Sequence, residues 1–165
     1  MGQLIRFTAP SAAYPTTATL LDEAESALLR AIRRWAAAFR HDQDPLPWLR
    51  QDLHAAGAPD AAFSVNALMA LVARTVQRPI AIHCPCCPGL SADEQHLLHA
   101  AALAQAGEAE LAERALRTAL LSAQGAEFAL EPLDGLGKLF ARAGLLFARR
   151  RSPMPVPARR LPLPR

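Results

Sequence analysis

A chain of 165 residues, 52% apolar and leaning on alanine and leucine with only nine aromatics, is sized for one domain with a core of its own. Its formal charge of +3 is unevenly spread: six arginines fall within 149–165, where there is no acid, and the remainder holds twelve cations against fifteen acids, near −3. That distribution argues against a nucleic-acid-binding face, and no run approaches the roughly 18 consecutive apolar residues of a membrane span.

Alanine and leucine are strong helix formers, so composition predicts an all-α fold: a single helical bundle of five or six helices. A single lysine, Lys138, against seventeen arginines fits a GC-rich bacterial genome. The opening residues lack a charged stretch followed by a long apolar run, so no secretory signal is read there. Met1-Gly2 does not open a myristoylation motif, because Arg6 stands where Ser or Thr is wanted. Three cysteines packed within four residues do not form the framework of a secreted disulfide domain, and the expected setting is cytoplasmic.

Residues 1–19 mix Pro10, Ser11, Pro15 and several threonines without a period, and are expected to be a disordered lead-in to a bundle domain at 20–148. Leu21, Leu28, Ile32, Trp35 and Phe39 then fall at helical spacing, with Arg30, Arg33, Arg34 and Arg40 beside or opposite that stripe. The acids Asp22, Glu23 and Glu25 suit the start of this helix, which should end near His41. Pro47 opens a short second helix that Gly57 terminates. After Pro59, Ser64 is the expected N-cap of a third helix burying Val65, Leu68, Met69, Val72 and Val76, which Pro79 stops.

Ile80, Ala81 and Ile82 form a short extended segment ahead of a cysteine turn, too isolated to make a sheet. The clearest start in the chain follows: Ser91 and Glu94 compose the S-x-x-E capping box, with Asp93 also near the positive helix end. Leu97, Leu98, Ala101 and Ala102 face inward, and Gly107 closes this fourth helix. A fifth runs from Glu108 to Leu121, forming an ordinary helical hairpin with the fourth. Glu131-Pro132 starts a sixth with Leu136, Leu139, Phe140, Ala143 and Phe147 inward, where Gly135, Gly137 and Gly144 serve close helix contact. The expected core is Leu28, Ile32, Trp35, Phe39, Leu68, Val72, Leu97, Leu98, Leu116, Leu120, Leu139 and Phe140. Residues 149–165 alternate prolines with arginines and are expected to form a disordered basic tail.

The one chemically distinctive segment is His83-Cys84-Pro85-Cys86-Cys87-Pro88. It lies between an extended run and a helix start, where backbone N–H groups and the helix dipole favour thiolate. Several chemistries use such a set. Zinc suits thiolate and imidazole, and Cys84-x-x-Cys87 lets two sulfurs converge, with Cys86 and His83, or His96 and His99 on the next helix, as further donors. A firm zinc pattern needs a second pair, which is missing. Thiol redox chemistry is the second use: extended run, C-P-x-C and helix follow the local order of glutaredoxin-like folds, to which about a dozen residues are similar. No βαβ pattern accompanies them, so a regulatory disulfide remains but a thioredoxin-fold enzyme does not. Cys84-Pro85 and Cys87-Pro88 also resemble short haem-responsive dipeptides. Against all three stands a plain turn, in which the cysteines pack as small apolar residues and the prolines stiffen the entry to the helix. No nucleophile elbow, glycine-rich phosphate loop or paired general acid and base accompanies the cluster.

Cys86-Cys87-Pro88-Gly89-Leu90-Ser91-Ala92-Asp93-Glu94 resembles a small uncharacterised alphaproteobacterial family with a Cys-Cys-Pro-x-x-[ST]-x-[DE]-E motif, over about residues 25–148. The resemblance implies a cysteine-rich turn leading into a helix and two more helices after it, with no activity and no site residue to carry over. The sequence therefore points to a non-enzymatic helical module that interacts with protein or regulates it. The alternative is a metal- or redox-responsive protein using His83, Cys84, Cys86 and Cys87. Self-association stays open, and no cofactor is required beyond the zinc that the cluster suits.

Overall fold

The computed structural model describes residues 12–154 and is all-α, with no strand among them. Seven helices follow in order: α1 (Glu23–Arg40), α2 (Leu46–Ala55), α3 (Ala61–Thr75), α4 (Ala92–Gln105), α5 (Ala109–Ala119), α6 (Ala123–Phe128) and α7 (Leu130–Arg142). The six-residue α6 runs into α7 through the shared residue Ala129, so the bundle has the helical content that composition implies. Helices α1, α2 and α3 pack on one another, α4 and α5 form a hairpin, and α7 lies against both α3 and α4, joining the two groups.

Local sequence explains most of the boundaries. Asp22 accepts from the Glu25 backbone N–H at 2.7 Å while Glu25 accepts from the Asp22 N–H at 3.0 Å, a reciprocal cap for α1. Ser91 and Glu94 do the same for α4, as expected. Gly57 and Gly107 each take φ of +79°, the left-handed conformation that ends α2 and α4. The third helix differs from expectation: it starts at Ala61, not after Ser64, because Pro59 and Asp60 already turn the chain and Ala61 and Ala62 extend the buried stripe. Ser64 sits inside α3, facing Gly135 of α7. The short α6, capped by Ser122, carries too few residues to show a period in sequence.

Ten of the twelve expected core residues are buried. Leu139 is only partly so, and packs on the core edge. Phe39 is corrected: it is 61% exposed, stacked on Trp35 at 4.9 Å between ring centroids. It lies on the apolar stripe one residue before α1 ends, at the rim of an open groove that Met69, Val76, Ile80 and Ile82 also line, so its ring stays largely in contact with solvent. Gly137 performs the close approach expected of it: a Cβ there would stand 3.0 Å from the Cα of Gln105 on α4.

Both terminal segments expected to be disordered carry ordered contacts where they are described. Tyr14 is buried, Ala18 N–H donates to Pro88 C=O at 2.8 Å, and Leu90 N–H donates to Thr16 C=O at 2.9 Å. At the other end, Arg150 forms a two-pronged ion pair with buried Glu25, at 2.5 and 2.6 Å, and Pro153 is buried. Arg151 N–H donates to Ala12 C=O at 2.8 Å, which sets the two segments side by side. Periodicity could not reveal this docking, because single hydrogen bonds and one ion pair hold it, not an apolar stripe. Residues 1–11 and 155–165, which make up the remainder of the lead-in and tail, lie outside the described residues.

Candidate site at the cysteine turn

The stretch 76–91 has no regular structure, yet its backbone is pinned at many points. Ile80–Ile82 leads into the turn as expected, held by side chains in place of a neighbouring strand. Ala81 N–H donates to Asp93 at 2.7 Å, Ser91 Oγ–H donates to Ala81 C=O at 2.5 Å, and Arg40 donates to Ile82 C=O at 2.7 Å. Arg78 clasps Asp93 with both terminal nitrogens, at 3.1 and 2.5 Å. The first turn of α4 thus serves as a clamp: its acids cap their own helix and also receive the backbone of the preceding segment.

Glu94 is the centre of that clamp. Its carboxylate is fully buried and accepts from His83 N–H at 3.0 Å, Ser91 N–H at 2.9 Å, Arg33 Nε–H at 2.8 Å and Arg33 Nη2–H at 3.0 Å. Burial pushes its carboxyl upward, but the Arg33 bonds and the two backbone donors outweigh that and hold it below the usual carboxylate range. Arg33 spends its remaining donors on Cys87 C=O at 2.6 Å and Gly89 C=O at 2.5 Å. One buried guanidinium therefore ties α1, α4 and the cysteine turn together. From sequence Arg33 was placed beside or opposite the apolar stripe. The signal that marks it is its row on α1, since Leu29 one turn before and Ala36 one turn after are both apolar.

The turn itself is a compact loop. Cys87 N–H donates to Cys84 C=O at 3.1 Å, which places Pro85 and Cys86 at the two central positions, where proline is favoured first. This geometry brings Cys84 and Cys86 together with their Sγ atoms 3.3 Å apart, both exposed. The contact with Cys86, with help from nearby backbone N–H groups and the Arg33 charge, lowers the Cys84 thiol below its ordinary range. Cys86 moves the other way, raised by the same partner.

Cys87 and His83 both lie over Gly89: a Cβ on Gly89 would lie 3.8 Å from His83 Cε1 and 3.9 Å from Cys87 Sγ. His83 Nδ1 stands 3.2 Å from Gly89 C=O and 3.4 Å from Glu94 Oε2, so two acceptor oxygens face this nitrogen. Among the described residues no three His, Cys, Asp or Glu side chains converge as a metal-holding group. His96 and His99 face elsewhere. Both are buried on α4 and line a cavity of about 340 Å³ shared with Arg114 of α5 and with Ser152 and Pro153. Burial lowers both imidazoles below their ordinary range.

No family model, no curated protein and no solved structure matches the chain. No helix among the described residues is long and apolar enough to cross a membrane.

Proposed function

We propose that the chain is a non-enzymatic helical regulatory module whose responsive element is the thiol pair Cys84 and Cys86. The observation that carries this reading is the 3.3 Å approach of two exposed sulfurs on a loop with a fixed backbone. Reaction with a small-molecule disulfide would join the two sulfurs, the thiols giving up two protons and two electrons and the oxidant leaving as two thiols. The depressed Cys84 thiol supplies the thiolate that closes the internal bond. Arg33, bonded to the backbone of Cys87 and Gly89, gives the loop a mechanical link to α1 and α4. A reducing compartment such as the cytoplasm is the setting in which a switch of this kind rests open, and a protein partner would read its state.

The test is mild oxidation of the folded chain with diamide, followed by alkylation and peptide mapping. The expected product is an internal Cys84–Cys86 disulfide with Cys87 still alkylated. Recovery of three free thiols, or of linked chains only, would sink the reading.

A second reading, a soft metal ion on the same thiols with Cys87 or His83 Nε2 as further donors, is favoured by the donor chemistry, which suits zinc. Zinc titration of the reduced chain tests it. Near-stoichiometric binding lost in Cys84→Ser would favour metal over disulfide.

A further inference from the structure

The groove between α1 and the cysteine turn opens onto one of the paired thiols and not the other. It holds about 380 Å³, within the range of small-molecule sites, and its walls include Leu29, Arg30, Pro85, Cys86 and Cys87, but not Cys84; of the two cysteines on these walls only Cys86 lies against a second sulfur with which it can close a disulfide. Two cations line it and differ in kind. Arg33 is committed to Glu94 and to two backbone carbonyls, whereas Arg30 is exposed and has no ion-pair partner among the described residues. An uncommitted guanidinium beside a thiol, with hydroxyls from Thr19 and Ser26 along the same walls, is suited to an anionic thiol compound.

We infer that this groove admits a low-molecular-weight thiol bearing carboxylates, and that exchange between it and the turn passes through Cys86. The inference rests on the disulfide reading above and adds the partner's class and the order of events. In the reducing direction the incoming thiolate attacks Cys86 Sγ. The Cys84–Cys86 bond breaks, its electron pair leaves with Cys84 as thiolate, and a mixed disulfide forms on Cys86. A second thiolate then attacks the sulfur of the bound compound, releasing it as a disulfide and freeing Cys86 as thiolate. Oxidation retraces these steps: Cys86 thiolate opens the small disulfide, expelling one thiolate, and Cys84 attacks Cys86 to expel the other. The assignment of roles agrees with the acidity of the pair, since the more acidic thiol leaves faster and Cys84 is the one shifted down.

Oxidised glutathione and the uncharged hydroxyethyl disulfide are the probes, applied to the full chain and to Cys84→Ser/Cys87→Ser, which has no second thiol to resolve an adduct. Glutathione should become trapped on Cys86 of that variant. Arg30→Gln should slow the glutathione reaction about two- to fivefold, the worth of one exposed charge pair, and leave the rate with hydroxyethyl disulfide unchanged. Equal slowing of both, or of neither, overturns the inference, as does an adduct in the full chain that forms first on Cys84 or Cys87. Unchanged circular dichroism of Arg30→Gln excludes misfolding as the cause. Diamide needs no groove: a diamide disulfide with no Arg30 effect defeats this inference alone, while no disulfide under any oxidant defeats the function proposed above.

Discussion

Arg33 and Glu94 meet side by side in the interior, 61 residues apart in sequence, with Nε 2.8 Å from Oε1 and Nη2 3.0 Å from Oε2. Arg33 is 2% exposed and Glu94 not at all, so neither charge is answered by water. Both also carry backbone groups of the turn, which makes the pair the mounting on which the thiols sit.

Removing one partner alone leaves a buried charge uncompensated. Arg33→Met and Glu94→Gln should each cost about 3–5 kcal/mol of unfolding free energy, measured by urea denaturation. Arg33→Met/Glu94→Gln together should cost less than the sum, because neither charge then remains stranded. Single losses below about 1 kcal/mol would show the pair to be dispensable.

Stability should fall on mild acidification, before most carboxylates titrate. Burial keeps His96 and His99 below their ordinary range, so in the pH window below about 6.5 the unfolded chain binds protons that the folded chain does not. The stabilisation is complete above that pH and is lost as pH drops toward the depressed folded values. Glu94, also depressed, adds a further loss at lower pH, as the pH falls through the carboxylate range. Urea midpoints at pH 7.5 and 5.5 measure the first effect, and His96→Gln/His99→Gln should flatten the slope between them. An unchanged slope would mean the histidines are not its source.

The segment after α7 should matter for folding up to the contacts of Arg150 and Pro153. A chain ending at Ala148 strands Glu25 without its cation and should lose several kcal/mol, as should Arg150→Ala by about 3 kcal/mol. Thermal melts of chains ending at Ala148 and at Met154 make the comparison. Equal melting temperatures would refute a structural role for Arg150.

Gly137→Ala should destabilise by about 1–3 kcal/mol despite alanine's better helix propensity, because the added methyl meets backbone of α4 at 3.0 Å. Gly107→Ala differs in cause: nothing lies within 4 Å, but φ of +79° strains any side chain. Denaturation of both variants, with α4–α7 contacts followed by amide exchange near Gln105, separates crowding from backbone strain.

What was legible in sequence was what neighbours dictate. The Ser91–Glu94 box, the glycine stops at Gly57 and Gly107, and the stripes of α1, α4 and α7 are written within a few residues each. The exposed cysteines were legible as a cluster, but not the grouping of Cys84 with Cys86: the C-x-x-C spacing drew attention to Cys84 and Cys87, while the turn closed by the Cys87 N–H turns Cys86 toward Cys84. Nor does a helical stripe say which arginine lies in the interior. Arg33 and Arg150 are drawn in by carboxylates far along the chain, and Phe39 is left at the rim of an open groove at the end of α1.

The bond between Glu25 and Arg150 spans 125 residues, and Asp22 likewise receives the N–H of Ala148. Helix α1 therefore carries at its start a carboxylate whose cation is synthesised 125 residues later. At translation speeds of about 5–20 residues per second, that acid waits on the order of ten seconds for its partner. During this interval the nascent bundle has one helix terminus incompletely sealed, and final closure couples the two ends of the described chain in a single late event. Contacts of such sequence separation slow folding relative to local helical pairing, so the rate-limiting step should be the docking of the segment around Arg150. A helical protein of this size would then fold more slowly than its helix content alone suggests.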